Sequence, residues 1–253
     1  MMKIYLSFIS VILLSSHLAL AETSCDELNT LYIDKYVSDF SLHAKSFEID
    51  ELENKAFSCD KPNKNYILAR AINDLDLWRP TKPNDPDYYE LVSQVLNLQG
   101  TDLRYIPLLK NFPNNTARTI HDGGSTFLFL TDNYTNSSER IRPTYTLVHE
   151  ARHTLKGKSI NGHIISDEPG HVTCTRGKHK GLRVCDDVLG SFETLVAGSG
   201  NSHEFLFLLY IRSHPHTSKL VKQEAQEQLN YLATHMFNTL ESGILKHYKV
   251  QLQ

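Results

Sequence analysis

Little in this chain points to nucleic acid or to a membrane. Lysine and arginine number 26 against 29 aspartates and glutamates, a formal net charge of −3, and the two signs are well mixed. That balance gives no basic footprint for a polyanion and no polybasic patch for an anionic bilayer. Beyond the N-terminal segment no stretch approaches the roughly eighteen consecutive apolar residues of a membrane span. There is no Gly-rich phosphate loop, internal repeat or low-complexity tract, and no Ser-His-Asp arrangement stands out from spacing. Cysteine is scarce. The four present, Cys25, Cys59, Cys174 and Cys185, include no C-x-x-C pair, which disfavours a zinc–thiolate site.

The N-terminus has a clear character. Lys3 precedes an apolar run from Ile4 to Leu14, and the small-x-small triplet Ala19-Leu20-Ala21 follows. This is the layout of a secretory signal peptide, residues 1–21, with cleavage expected after Ala21. The run is short for a bilayer, and Ser15, Ser16 and His17 interrupt it. Residues 22–253 are then expected to be one soluble domain with a sizeable core, secreted or periplasmic. Loss of Lys3 takes the net charge from −3 to −4. An even cysteine count in an exported chain suggests disulfides, and proximity favours Cys25–Cys59 and Cys174–Cys185.

Along the chain the pattern is mainly helical. Residues 25–59 carry apolar positions at helical spacing (Leu28, Leu31, Tyr32, Tyr36, Phe40), and Tyr66–Leu77 and Tyr88–Leu98 read as further helices. Between those two, residues 80–89 hold three prolines and form a surface connection. Two β-prone runs, 117–121 and 125–131, flank Asp122-Gly123-Gly124, a hairpin signal. A central helix is expected from about Pro143 to Gly157. Residues 157–190, rich in Gly, Ser and Asp, read as a long irregular stretch of the functional kind. Helix resumes at Ser191, with an apolar helix over Ser202–Ser213 and a long amphipathic one over Lys219–Tyr248. The expected fold class is α+β, mainly α, with a small β-hairpin or sheet and a C-terminal helical region.

Function turns on His149-Glu150-Ala151-Arg152-His153. On a helix, positions i and i+4 share a face with Cβ atoms about 5–6 Å apart. Two imidazoles so placed can hold one metal ion without bending the backbone, and nitrogen ligands suit Zn²⁺ at about 2.0–2.1 Å. Glu150, one position further round, is placed to act on a water activated by the metal, as base and then as acid toward a leaving amine. Leu147, Val148, Ala151 and Leu155 give the same helix an apolar face to bury, leaving the histidines to point into a cleft.

Residues 146–153, Thr-Leu-Val-His-Glu-Ala-Arg-His, resemble the active-site helix of the zincin metallopeptidases. The strand 125–131 is similar in place to the edge strand lining a zincin cleft. Exported bacterial proteins in which such a helix precedes a Gly-His-Val-x-Cys segment also resemble it, here Gly170-His171-Val172-Thr173-Cys174. The likeness covers roughly residues 117–200. It implies zinc on His149 and His153 and the base role for Glu150.

The third ligand separates the subclasses. The metzincin layout wants a glycine where this chain has Lys156 and a histidine where it has Ser159, and its methionine turn is missing. The thermolysin-like layout wants a glutamate on a later helix, a place Glu193 could fill. His171 is preferred, because it lies three residues from Cys174 and a Cys174–Cys185 bridge would hold it rigidly. His163, Asp167 and Glu168 are lesser candidates. Arg152 could pair with Asp186 or Asp187 or lie solvated on the surface. Tyr145 could donate to an oxyanion but is better placed to pack.

The expected function is that of an exported zinc-dependent peptidase binding one Zn²⁺ and acting on a peptide or protein substrate. The alternatives are a non-catalytic, zinc-stabilised binding protein and a zinc amidase acting on cell-wall peptides.

Overall fold

A computed structural model of the chain describes residues 23–49, 56–58, 63–83, 85–98, 101–105, 116–122, 125–136, 140–154, 159–160, 163–164 and 170–253. The expected signal peptide, Cys59, Leu155 and Gly157 lie outside these residues. Helix α1 (Cys25–Leu31) runs through a π-helical turn (Tyr32–Tyr36) into α2 (Val37–Asp39), followed by α3 (Ala44–Phe47), α4 (Lys64–Leu77) and α5 (Tyr88–Leu98). Next come β1 (Thr101–Tyr105), β2 (Ala117–Asp122), β3 (Ser125–Leu130), α6 (Asp132–Thr135) and α7 (Arg142–Thr154). Short strands β4 (Ser159–Ile160), β5 (His163–Ile164) and β6 (Val172–Thr173) lead to β7 (Arg183–Leu189). The chain ends in α8 (Phe192–Ala197), α9 (Gly200–Ser213), α10 (Lys219–His235), β8 (Phe237–Leu240) and α11 (Ile244–Tyr248).

The class is α+β and mainly α, with two small three-stranded sheets. In the first, β3 is central. It pairs antiparallel with β2, closing the expected hairpin with Asp122 opposite Ser125, and parallel with β1. The strand at the edge beside α7 is therefore β2, not residues 125–131 as the resemblance implied. In the second sheet β7 lies between β6 and β8. β7 and β8 are parallel, so α8, α9 and α10 form the crossover that parallel neighbours require.

Local chemistry explains the boundaries. Asn63 caps α4 by accepting from the N–H groups of Asn65 and Tyr66, and that helix stops at Trp78, ahead of Pro80. Ser218 caps α10 through the N–H of Val221. Val221, Ala225, Leu229 and Leu232 then recur at helical spacing and form its buried face.

Two expectations fail for identifiable reasons. The long helix over 219–248 ends at His235. Phe237-Asn238-Thr239-Leu240 instead pairs with β7, and Gly243 takes φ 77°, which ends the helical path before α11. The irregular stretch over 157–190 contains β6 and β7. The adjacent Asp186 and Asp187 hide β7 from the sequence, since aspartate is depleted in strands.

The core places α7 at the centre. It packs against α9, α4, α5 and β2, and Leu147, Val148 and Ala151 are buried. From Pro143 to Thr154 every side chain is buried except His149 and His153, which are half-buried. Those two form the helix's one partly open stripe.

Candidate metal centre

Helix α7 sets the rings of His149 and His153 with centroids 5.3 Å apart. His171 arrives from the residue before β6, its ring centroid 5.1 Å from that of His149 and 4.9 Å from that of His153. One ring nitrogen of each lies within 4.8 Å of the other two. The Nε2 atoms of His149 and His171 are 3.2 Å apart. Two nitrogens on a tetrahedral zinc at ordinary Zn–N distances sit about 3.3 Å apart, so this spacing suits a shared ion. The side chains of His149 and His171 are 17% and 18% exposed, so both rings are partly open to solvent.

Carboxylates stand behind two of the rings. Nδ1 of His149 is 3.2 Å from Oε2 of Glu204, and the other oxygen of Glu204 accepts from Gln228 Nε2 at 3.0 Å. Nδ1 of His171 is 3.2 Å from Oδ1 of Asp186. Such partners fix a ligating ring's tautomer and direction. The first turn of α9 closes the site from below. A Cβ at Gly200 would lie 2.5 Å from Nε2 of His149, so a side chain at this position would collide with the ring.

The protonation pattern follows from this packing. Burial pulls the His149 ring down, but hydrogen bonding to Glu204 and the charges of Glu150, Glu204 and Asp186 outweigh it and raise its pKa. Burial, with the neighbouring His149 and His171, lowers His153 to about 2, leaving it a neutral imidazole. Burial works against the charge of Asp186. Its bonds with His171, Ser199 and Ser202 outweigh that and hold it well below the usual carboxylate range.

Glu150 is buried and turned toward β2, where Thr119 Oγ1 donates to its Oε2 at 2.9 Å and reaches its backbone carbonyl at 3.2 Å. Arg152 is not solvated. It is buried and donates through Nε to the carbonyl of Gly198 at 2.8 Å, joining α7 to the turn before α9. Tyr145 is part of the core.

Glu193 is exposed in the first turn of α8 and is not in the histidine group. The side chains of His163, Asp167 and Glu168 lie outside the described residues. The expected Cys174–Cys185 bridge is present, closing a separation of 11 residues. Cys25 is also disulfide-bonded, while Cys59, the partner expected for it, is not among the described residues.

Sequence reasoning missed Gly200 and Thr119, took Asp186 only as a partner for Arg152, and read Glu204 as part of a helix cap. The available signal was compositional. Ser199, Asn201, Ser202, His203 and Glu204 crowd the start of an otherwise apolar helix, and all are buried. Buried polar groups need partners, and here several of those partners belong to the site. No protein-family model, curated protein or solved structure matches the chain.

Proposed function

We propose that the chain is an exported zinc-dependent peptidase in which His149, His153 and His171 hold one Zn²⁺ and Glu150 carries the proton. The observation behind this reading is the convergence of three imidazole nitrogens within 4.8 Å, two of them backed by buried carboxylates. An all-imidazole set suits Zn²⁺. When bound, zinc supplies Lewis acidity that brings the pKa of a coordinated water down to about 7.

The chain's own residues supply the rest. Glu150 follows His149 directly and its carboxylate is held by Thr119; in this reading it takes a proton from the attacking water. It then returns that proton to the departing amine nitrogen of the cleaved amide. β2, at the edge of its sheet and next to α7, offers an extended substrate a backbone to lie beside. Export accords with the Cys174–Cys185 disulfide, since such bonds persist in oxidising compartments. Among the described residues no helix is long and apolar enough to cross a membrane.

The test is a pair of measurements on the purified chain. Elemental mass spectrometry should find one zinc per chain in both the parent and Glu150→Gln. A peptide-library assay should show hydrolysis by the parent only. A Glu150→Gln chain as active as its parent would contradict the catalytic role, and a parent without metal would contradict the metal centre.

A further inference from the structure

Asp186 is a buried carboxylate in the middle of β7, and its hydrogen bonds divide into two sets. Oδ2 accepts from the backbone N–H of Ser199 at 3.1 Å, the N–H of Ser202 at 2.8 Å and Oγ of Ser202 at 2.5 Å. These backbone donors belong to the start of α9, which has no side-chain cap from Ser199. A carboxylate from another element thus caps this helix and meets its positive end. Oδ1 accepts from the Ser199 hydroxyl and from Asn201 Nδ2 at 3.1 Å, and it faces Nδ1 of His171 at 3.2 Å.

The hydrogens around Nδ1 of His171 can be counted. Asn201 Nδ2 has two, directed at the Val184 carbonyl at 2.8 Å and at Asp186 Oδ1. Ser199 Oγ has one, directed at Asp186 Oδ1. Neither has a hydrogen left for Nδ1, although they lie 3.4 Å and 3.0 Å from it. Nδ1 is therefore the donor, toward Ser199 Oγ and Asp186 Oδ1. In the neutral ring the lone pair then sits on Nε2, the nitrogen that faces Nε2 of His149.

We infer that Asp186 is a positioning residue of the metal centre: one carboxylate caps α9 and fixes the tautomer and direction of His171. This rests on the metal-binding reading above and adds how the third ligand is made ready. His171 stands on an exposed hairpin edge, yet its aim is set by the helix that also carries Glu204, the partner of His149, and Gly200, the floor under that ring.

Two readouts test it. In the metal-free parent, nitrogen-15 NMR of the histidine rings should show His171 protonated at Nδ1 with a bare Nε2. Asp186→Asn, which presents an amide in place of one acceptor oxygen, should lose that tautomer. It should also bind Zn²⁺ about 10–100-fold more weakly in a chelator competition. Ser202→Ala, which removes one hydroxyl from Oδ2 and leaves Oδ1 in place, should keep the tautomer. A parent His171 protonated at Nε2 overturns the inference whether or not the amide variant folds, and so does an Asp186→Asn chain that binds Zn²⁺ like the parent. A parent with the expected tautomer that takes up no Zn²⁺ removes the metal-centre reading while upholding the hold of Asp186 on the ring.

Discussion

At Gly200 the missing side chain is a requirement of the site. A methyl group there would lie 2.5, 2.6 and 2.7 Å from three atoms of the His149 ring, and α9 cannot retreat without giving up its contacts with α7 and α10. Gly200→Ala should therefore turn His149 away from the other two rings and weaken Zn²⁺ binding about 10–100-fold, with little change in helical circular dichroism. Zinc competition titration checks this.

Glu150→Gln keeps the shape and the acceptor for Thr119 but removes the proposed base. Peptide hydrolysis should fall by about 10²–10⁴-fold with the metal retained.

His203 gives a prediction for pH. It is buried, its Nε2 donates to the Val196 carbonyl at 3.0 Å, and burial with the nearby Arg152 lowers its pKa from 6.5 to about 3. Between those values the unfolded chain binds the proton that the folded chain refuses. The stabilisation is thus complete above pH 6.5 and is lost as pH falls toward 3, by roughly 4–5 kcal/mol in all. Denaturant titrations of His203→Gln between pH 7 and 4 should show a flatter decline than the parent.

Among the elements, the β6–β7 hairpin carries the most consequence for its size. Val172 pairs with Cys185, so the disulfide ties the strand next to His171 to the strand that bears Asp186. Arg183 Nε donates to the carbonyl of His171 at 2.8 Å and adds a second tie. Replacing both Cys174 and Cys185 by serine should cost about 3 kcal/mol of stability. It should also weaken zinc binding through the freed His171, while the α7 pair keeps its geometry. Thermal melts of the parent and the double serine variant, each paired with a zinc titration, separate the two effects.

The same elements show what the sequence could reveal. Helices with a one-sided apolar stripe, such as α4, α5 and the first part of α10, were legible, as was the β2–β3 pairing, signalled by Asp122-Gly123-Gly124 in the sequence. β7 was not, because two aspartates stand at its centre, Asp186 held in a buried network and Asp187 exposed. β8 was not, because its apolar positions continue the spacing of α10 and only pairing with β7 distinguishes it.

At the scale of the whole molecule, the site exists because one nearly all-buried helix leaves two histidines half-open at its surface. The fold then brings two distant segments against them. Helix α9 supplies Glu204 and Gly200, which lie 55 and 51 residues beyond His149 in the chain. The hairpin before it supplies His171 and Asp186. The pair on α7 is visible in the sequence because a single helical turn creates it. His171 could be proposed from its neighbouring cysteine. The carboxylates behind the rings are products of tertiary packing, and no local spacing announces them.

X-ray absorption at the zinc edge, on the purified chain and on His171→Ala, tests the metal centre most directly. The expected spectrum for the parent has three imidazole nitrogens in the first shell at about 2.0–2.1 Å, falling to two in the variant. A parent without zinc, or a first shell unchanged by loss of His171, would contradict it.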